Sequence, residues 1–241
     1  MSGMPTETPP AAARLPETRR LYQQVADRIR VLIAAGTFPP ASRLPAERDL
    51  AQQLGVSRPS LREALIALEI DGSVEIRMGS GVYVTAAAGT ERAAGAMMRP
   101  MGESPSELMQ ARAVLEGGVA ALAAARMTPE ATAGLRSCLA AMHGEIGAGR
   151  KPLEHDRQFH VSIAAISGNP VLTRLVGELF DERHSPISAQ LSGHFESPET
   201  WALALGEHEA ILDALEAGDP LQAEAAMRCH IQSSKQRWVR D

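Results

Sequence analysis

Residues 56–65 read Val-Ser-Arg-Pro-Ser-Leu-Arg-Glu-Ala-Leu. Ser57 is a good helix N-cap, and the helix it opens would bury Leu61, Ala64, Leu65 and Leu68. Arg58 and Arg62 then fall in the first turns. A helix start already carries partial positive charge, so added cations cost stability there unless an anion faces them. Upstream, Leu21, Val25, Ile29, Leu32 and Ile33 recur at helical spacing until Gly36. The stretch LPAERDLAQQLG gives a second helix with Leu50, Ala51 and Leu54 inward, ended by Gly55. Downstream the period changes to two. Val74 and Ile76 alternate with Glu75 and Arg77, Val82 and Val84 flank Tyr83, and Gly79 with Gly81 supplies a turn. Three short helices and a hairpin make a winged helix-turn-helix, expected over residues 19–85.

In such a unit the second helix of the pair offers its N-terminal residues to the major groove of DNA. Phosphates and base edges are rich in acceptors, which answers the misplaced arginines. Arg58 and Arg62 are four residues apart and share a face. Ser57 and Ser60 can donate to phosphate, and Arg48 on the preceding helix is placed to reach the backbone or groove beside them. Gly79, at the hairpin tip, allows close approach to the minor groove. A lone arginine would be read as a solvated partner of Glu63 or Glu69. Three arginines on two adjoining helices followed by a hairpin read as a DNA-binding surface.

The totals set the limits around that head. The 241 residues suffice for two modest domains, with 44% apolar and only 3% aromatic content. The net charge of −5 does not exclude nucleic acid, because residues 1–85 sum to +1 and the remainder to −6. No apolar run reaches the roughly 18 residues of a membrane span. Residues 1–18 lack an apolar core and read as a disordered leader rather than a signal peptide. The expected location is the cytoplasm. Cys138 and Cys229 match no metal or redox spacing and read as buried thiols. Residues 86–103 carry little pattern and read as a linker.

From residue 104 to 241 the pattern is helical throughout, so the fold class is mainly α: the winged head plus an all-α bundle of six or seven helices. Its first helix has apolar positions at Leu108, Ala111, Leu115, Val119 and Leu122. Further helices are expected at about 129–147, 153–166, 171–183 and 198–215, and from 220 toward Trp238. Asp156 and His160 lie one turn apart, a two-point clamp for a divalent ion. His208 and His230, on the last two helices, could complete a His₃Asp set suited to Zn²⁺, Ni²⁺ or Mn²⁺. Histidines on different helices need not meet, so core or surface histidines remain an alternative at this point. A metal-dependent hydrolase or isomerase using the same four residues is the rival from another class. Glu207 or Glu209 would be its base, although neither shares a helical face with His208.

The stretch LYQQVADRIRVLIAAGTFPPASRLPAERDLAQQLGVSRPSLREALIALEIDGSVEIRMGSGVYV closely resembles the DNA-binding domain of the GntR family of bacterial transcription regulators. Ala41 departs from the family pattern, where glycine is frequent, in a loop. The resemblance implies that Arg48, Arg58 and Arg62 are the main DNA contacts, supported by Ser57, Ser60 and Gly79. The remainder resembles the FCD effector domain of the FadR-like branch. The resemblance lies in Arg112-Leu115-Glu116, in D-x-x-F-H followed by S-G-N-P, and in H-x-x-I-x-x-A-L with a later A-x-x-x-M-x-x-H. It implies a metal, Zn²⁺ first, held by Asp156, His160, His208 and His230, and a small carboxylate effector. Arg112 is expected as its second anchor unless it pairs with Glu116. Asn169 and His184 are weaker candidates, Asn169 reading equally as a helix cap. The resemblance further implies a homodimer reading an inverted-repeat operator, most often as a repressor released by its effector. Residues 57–84 look most like regulators of hexuronate and sugar-acid catabolism.

Overall fold

The computed structural model describes residues 20–86, 88 and 101–238. The expected leader and most of the expected linker lie outside the described residues. The head contains α1 (Leu21–Ala34), α2 (Glu47–Leu54), α3 (Arg58–Ile70), β1 (Val74–Arg77) and β2 (Gly81–Val84). Gly55 closes α2 in the left-handed conformation, at φ +69°. The Ser57 hydroxyl accepts from the Ser60 amide at 3.2 Å and so caps α3. The strands pair antiparallel with Val74 opposite Val84 and Ile76 opposite Val82, which puts Val74, Val82 and Val84 into the head's core. At Gly81, φ is +118° and a Cβ would come within 2.6 Å of the Arg43 side chain, so the wing needs glycine there.

The rest is helical: α4 (Pro105–Ala124), α5 (Pro129–Gly147), α6 (Leu153–Ile166), α7 (Pro170–Asp181), a 3₁₀ turn (Glu182–His184), α8 (Pro186–Phe195), α9 (Pro198–Glu216) and α10 (Pro220–Arg237). Proline occupies the first helical turn of α4, α5, α7, α8, α9 and α10, where its missing N–H costs nothing. Side-chain caps from Ser104, Thr128, Asn169, Ser197 and Asp219 fix five of those starts. The bundle is built on α4 lying along α10, with α9 beside α10 and α6 packed between α5 and α7. No helix among the described residues is long and apolar enough to cross a membrane.

Three sequence expectations shift. First, α8 is a helix that apolar periodicity did not mark, because its ten residues mix Ser, Gln and Gly with few apolar positions. Its Ser185-Pro186 start is the signal that could have found it. Second, the buried face of α4 includes Arg112 and Glu116, while Ala111 and Leu122 are exposed. Third, Cys138 is buried as expected but Cys229 is exposed.

The helix α3 departs from a simple one-sided burial pattern. Every residue from Leu61 to Leu68 is buried. Leu61, Ala64, Leu65 and Leu68 enter the head's core, as the stripe predicts. Ile66 and Ala67 instead join the core of the C-terminal helices, together with Tyr22.

Candidate metal centre and DNA-facing surface

One turn of α6 brings Asp156 and His160 to the same side, and α9 and α10 bring His208 and His230 to meet them. All four are buried, and one ligand atom from each lies within 4.8 Å of the others. Asp156 Oδ1 is 3.0 Å from His208 Nε2 and 3.3 Å from His160 Nε2. The two Nε2 atoms are themselves 3.3 Å apart. Imidazoles crowded nitrogen to nitrogen, around a carboxylate oxygen with no well-directed donor, form a donor set aimed at a common point. That is the chemistry of a divalent cation site, and the residues fit such an ion.

A second layer fixes which nitrogens face inward. His160 Nδ1 lies 2.5 Å from Glu116 Oε2, leaving its Nε2 for the centre. His230 Nδ1 lies 2.9 Å from Glu207 Oε2. Such outer carboxylates orient imidazole ligands and raise their basicity. Burial alone would push Glu116 upward, but Arg112 and His160 outweigh it and hold the group at about 2. Glu207 is likewise held at about 2, its burial outweighed by His230 and Arg237. Burial and the neighbouring His208 push His230 down to about 3, and burial lowers His208. Both are therefore neutral, the form that binds metal. Burial opposes ionisation of Asp156, yet His160, His208 and Arg183 keep it well below the usual carboxylate range.

The cluster opens onto a cavity lined by Asp156, His208 and His230, with Lys151, Arg183, Glu196, Thr200, Trp201, Ser234, Arg237 and Trp238. Its closed volume is about 50 Å³, well below the roughly 300–1,000 Å³ usual for small-molecule sites, so a ligand larger than a few waters has to widen it. Arg183 joins the metal group to the wall, bonding Asp156 Oδ2 at 2.8 Å and Glu196 at 3.5 Å. Lys151 pairs with Glu196 at 2.7 Å.

The three residues expected to bind the effector do not line this cavity. Arg112 is buried at 1% exposure, its Nε donates to Glu116 at 2.6 Å, and its guanidinium lies over Phe180. The expected anchor is therefore a support of His160, acting through Glu116. Asn169 is exposed and caps α7, accepting from the amides of Val171 and Leu172. His184 is exposed and borders an adjoining hollow with Lys151, Arg183 and Trp201. The residues that sequence reasoning missed are Glu116 and Glu207 as second-layer partners, and Lys151, Trp201 and Arg237 as the wall. Glu207 lies against His230 and Arg237, so it does not stand where a base attacking at the metal would.

On the head, Arg48 is 85% exposed on its side chain, and Ser57 and Gly79 are exposed. Arg58 and Ser60 are partly exposed. Arg62 is buried at 6% exposure. Its Nε and Nη2 donate to Glu47, its Nη1 donates to the Trp238 carbonyl at 2.5 Å, and its guanidinium lies over the Phe195 ring at 4.8 Å. As folded here, Arg62 faces the C-terminal helices, not the outer surface shared by Arg48 and Ser57, which corrects the expected placement.

A winged helix-turn-helix fused to an all-helical domain built around a polar cavity defines a DNA-binding transcription regulator. Residues 21–84 match the family described as bacterial regulatory proteins, gntR family, and residues 107–233 match the FCD domain. The chain belongs to the GntR family of transcription regulators, in the branch that carries an FCD domain; this is a family of regulators and not of enzymes. It is 36% identical to the Uxu operon transcriptional regulator of Escherichia coli (strain K12), over 91% of this chain and 87% of that one. It is 35% identical to the Exu regulon transcriptional regulator of the same organism, over 91% and 84%. Among solved structures, E. coli McbR/YncC shares the fold at a TM-score of 0.51, with 22% identity, over 92% of this chain and 98% of that one.

Proposed function

We propose that this regulator is a homodimeric repressor released by a small carboxylate held at a divalent metal ion. In this reading residues 19–85 bind DNA, 86–103 link, and 104–241 bind the effector and carry the dimer contact. Two heads read an inverted repeat, so that operator symmetry mirrors protein symmetry. Arg48, Ser57, Arg58, Ser60 and Gly79 meet the duplex, with Arg62 joining them once it leaves its present partners.

One observation carries the effector reading: three imidazoles and a carboxylate converge, with the outer nitrogens of His160 and His230 tied back, beside a cavity walled by cations and two tryptophans. Four protein donors on a Zn²⁺, Ni²⁺ or Mn²⁺ ion that accepts further ligands leave room for an anionic oxygen. A carboxylate there would meet the metal, while hydroxyls on the same molecule would meet Arg183, Glu196 and Thr200. A sugar acid of the hexuronate class fits both needs. The resemblance of the head to regulators of sugar-acid catabolism supports that choice, as do relatives that regulate the Uxu operon and the Exu regulon. The effector must bind the DNA-incompetent state more tightly, and a coupling of about 1–3 kcal/mol would weaken DNA binding roughly 5–150-fold.

The test is a thermal-shift screen of hexuronates and short-chain carboxylates on the Zn²⁺-loaded protein. The expected result is stabilisation by a hexuronate that disappears after chelation. Stabilisation that ignores chelation would refute the metal-held carboxylate. A lactate or dicarboxylate as the sole hit would refute the hexuronate.

A further inference from the structure

The burial of α3 on every side from Leu61 to Leu68 has a specific cause. Its outward face, Arg62, Glu63, Ile66, Ala67 and Glu69, is taken up by the C-terminal helices. Arg62 ends on the Trp238 carbonyl and the Phe195 ring. Glu63 accepts from the Ser104 hydroxyl at 2.7 Å and the Ser106 amide at 2.8 Å, so it caps the start of α4. Glu69 lies 2.5 Å from His194 and accepts from Gln190. Ile66 and Ala67 fill the apolar gap between these polar contacts.

We propose that this face is an interdomain latch: the C-terminal domain withdraws Arg62 from DNA, and the end of α10 is its keeper. The proposal rests on the DNA-binding role of the head. A guanidinium that is 6% exposed and bonded on both edges cannot reach a phosphate without leaving Trp238 and Phe195. Docked and DNA-bound Arg62 are therefore exclusive states, and interactions that favour one oppose the other.

The keeper is tied to the cavity. The residue whose carbonyl holds Arg62 also lines the cavity, and so does its neighbour Arg237. Arg237 donates to Glu207 at 2.7 and 3.1 Å, and Glu207 holds His230. A contiguous chain of contacts thus runs from the metal group through Glu207, Arg237 and Trp238 to Arg62. Whatever orders the end of α10 from the cavity side strengthens the latch and lowers DNA affinity. The two-state element is Arg62 itself, with different partners in each state.

The test uses the full-length protein and a 30-base-pair duplex that the wild type enriches from a randomised library, with no effector added. Phe195→Leu removes the ring from Arg62 and should raise affinity for that duplex about fivefold. In an Arg62→Ala background the same substitution should change affinity less than twofold. No rise, or an equal rise without Arg62, would overturn the latch. Hydrogen exchange on the wild type gives a second readout that needs no variant. Binding the duplex should speed exchange of the 192–196 and 234–238 amides about tenfold, and unchanged or slower exchange there would overturn it. If the wild type enriches no duplex at all, the DNA-binding reading fails, an outcome separate from both. Failure of the effector reading would leave these results untouched.

Discussion

Nδ1 of His160 lies against Oε2 of Glu116, 44 residues earlier in the chain, and this contact decides which nitrogen the histidine can give to a metal. Arg112 on the same helix face holds Glu116 ionised, so the pair is charge-balanced although both are almost wholly buried.

Glu116→Gln keeps the shape of the contact but removes its charge. Metal affinity is expected to fall about 10–100-fold, the usual cost of losing an outer-layer carboxylate. A competition titration against a chromophoric chelator measures it. Unchanged affinity would mean that Glu116 serves packing alone.

His208 sits where the ligand atoms converge, 3.0 Å from the Asp156 oxygen. The purified protein should carry about one equivalent of metal per chain by elemental analysis, and His208→Ala should carry almost none. Metal bound at a concentration 1,000 times its Kd should stabilise the wild type by about 4 kcal/mol. Equal melting temperatures with and without chelator would count against the centre.

Arg48 and Arg58 present the cationic surface that remains outward. Arg48→Ala and Arg58→Ala should each weaken DNA binding across sequences and reduce the slope of log K against log salt by about 1. Fluorescence anisotropy over a range of salt concentrations checks both. A slope equal to wild type in both variants would remove this surface from the interface.

Glu196 makes a pH-dependent contribution. Its burial would raise it, but Arg183 and Lys151 outweigh burial and keep it below its ordinary value. A carboxyl whose folded-state pKa is depressed stabilises the protein fully above its unfolded value, about 4.3–4.5, and loses that stabilisation as pH falls through the folded value. Glu196→Gln should therefore cost about 1.5–3 kcal/mol at pH 7, and the gap to wild type should narrow below about pH 4. Urea unfolding at pH 7, 5 and 3.5 gives the comparison. A gap independent of pH would assign the loss to packing.

Much of the architecture was legible along the chain. The stripe Leu61, Ala64, Leu65 and Leu68 does face the head's core, and the alternation at Val74, Ile76, Val82 and Val84 is a hairpin. The four metal-ligand candidates do converge. Two of them share one helical turn, which spacing shows directly; the other two needed resemblance, because spacing cannot say which helices meet.

The sequence by itself determined the winged head, the helical remainder and the Asp156–His160 clamp, because each is set by periods of two to four residues and by capping chemistry. Only the tertiary structure decided what Arg62, Arg112 and Glu207 do. A polar side chain on a helix looks the same in sequence whether water or another helix covers it. Covered, its charge must be met by a partner far along the chain. Arg112 therefore turned from ligand anchor to support of a histidine, and Arg62 from surface contact to docked residue, once the α4 and α10 helices and the end of α8 were in place.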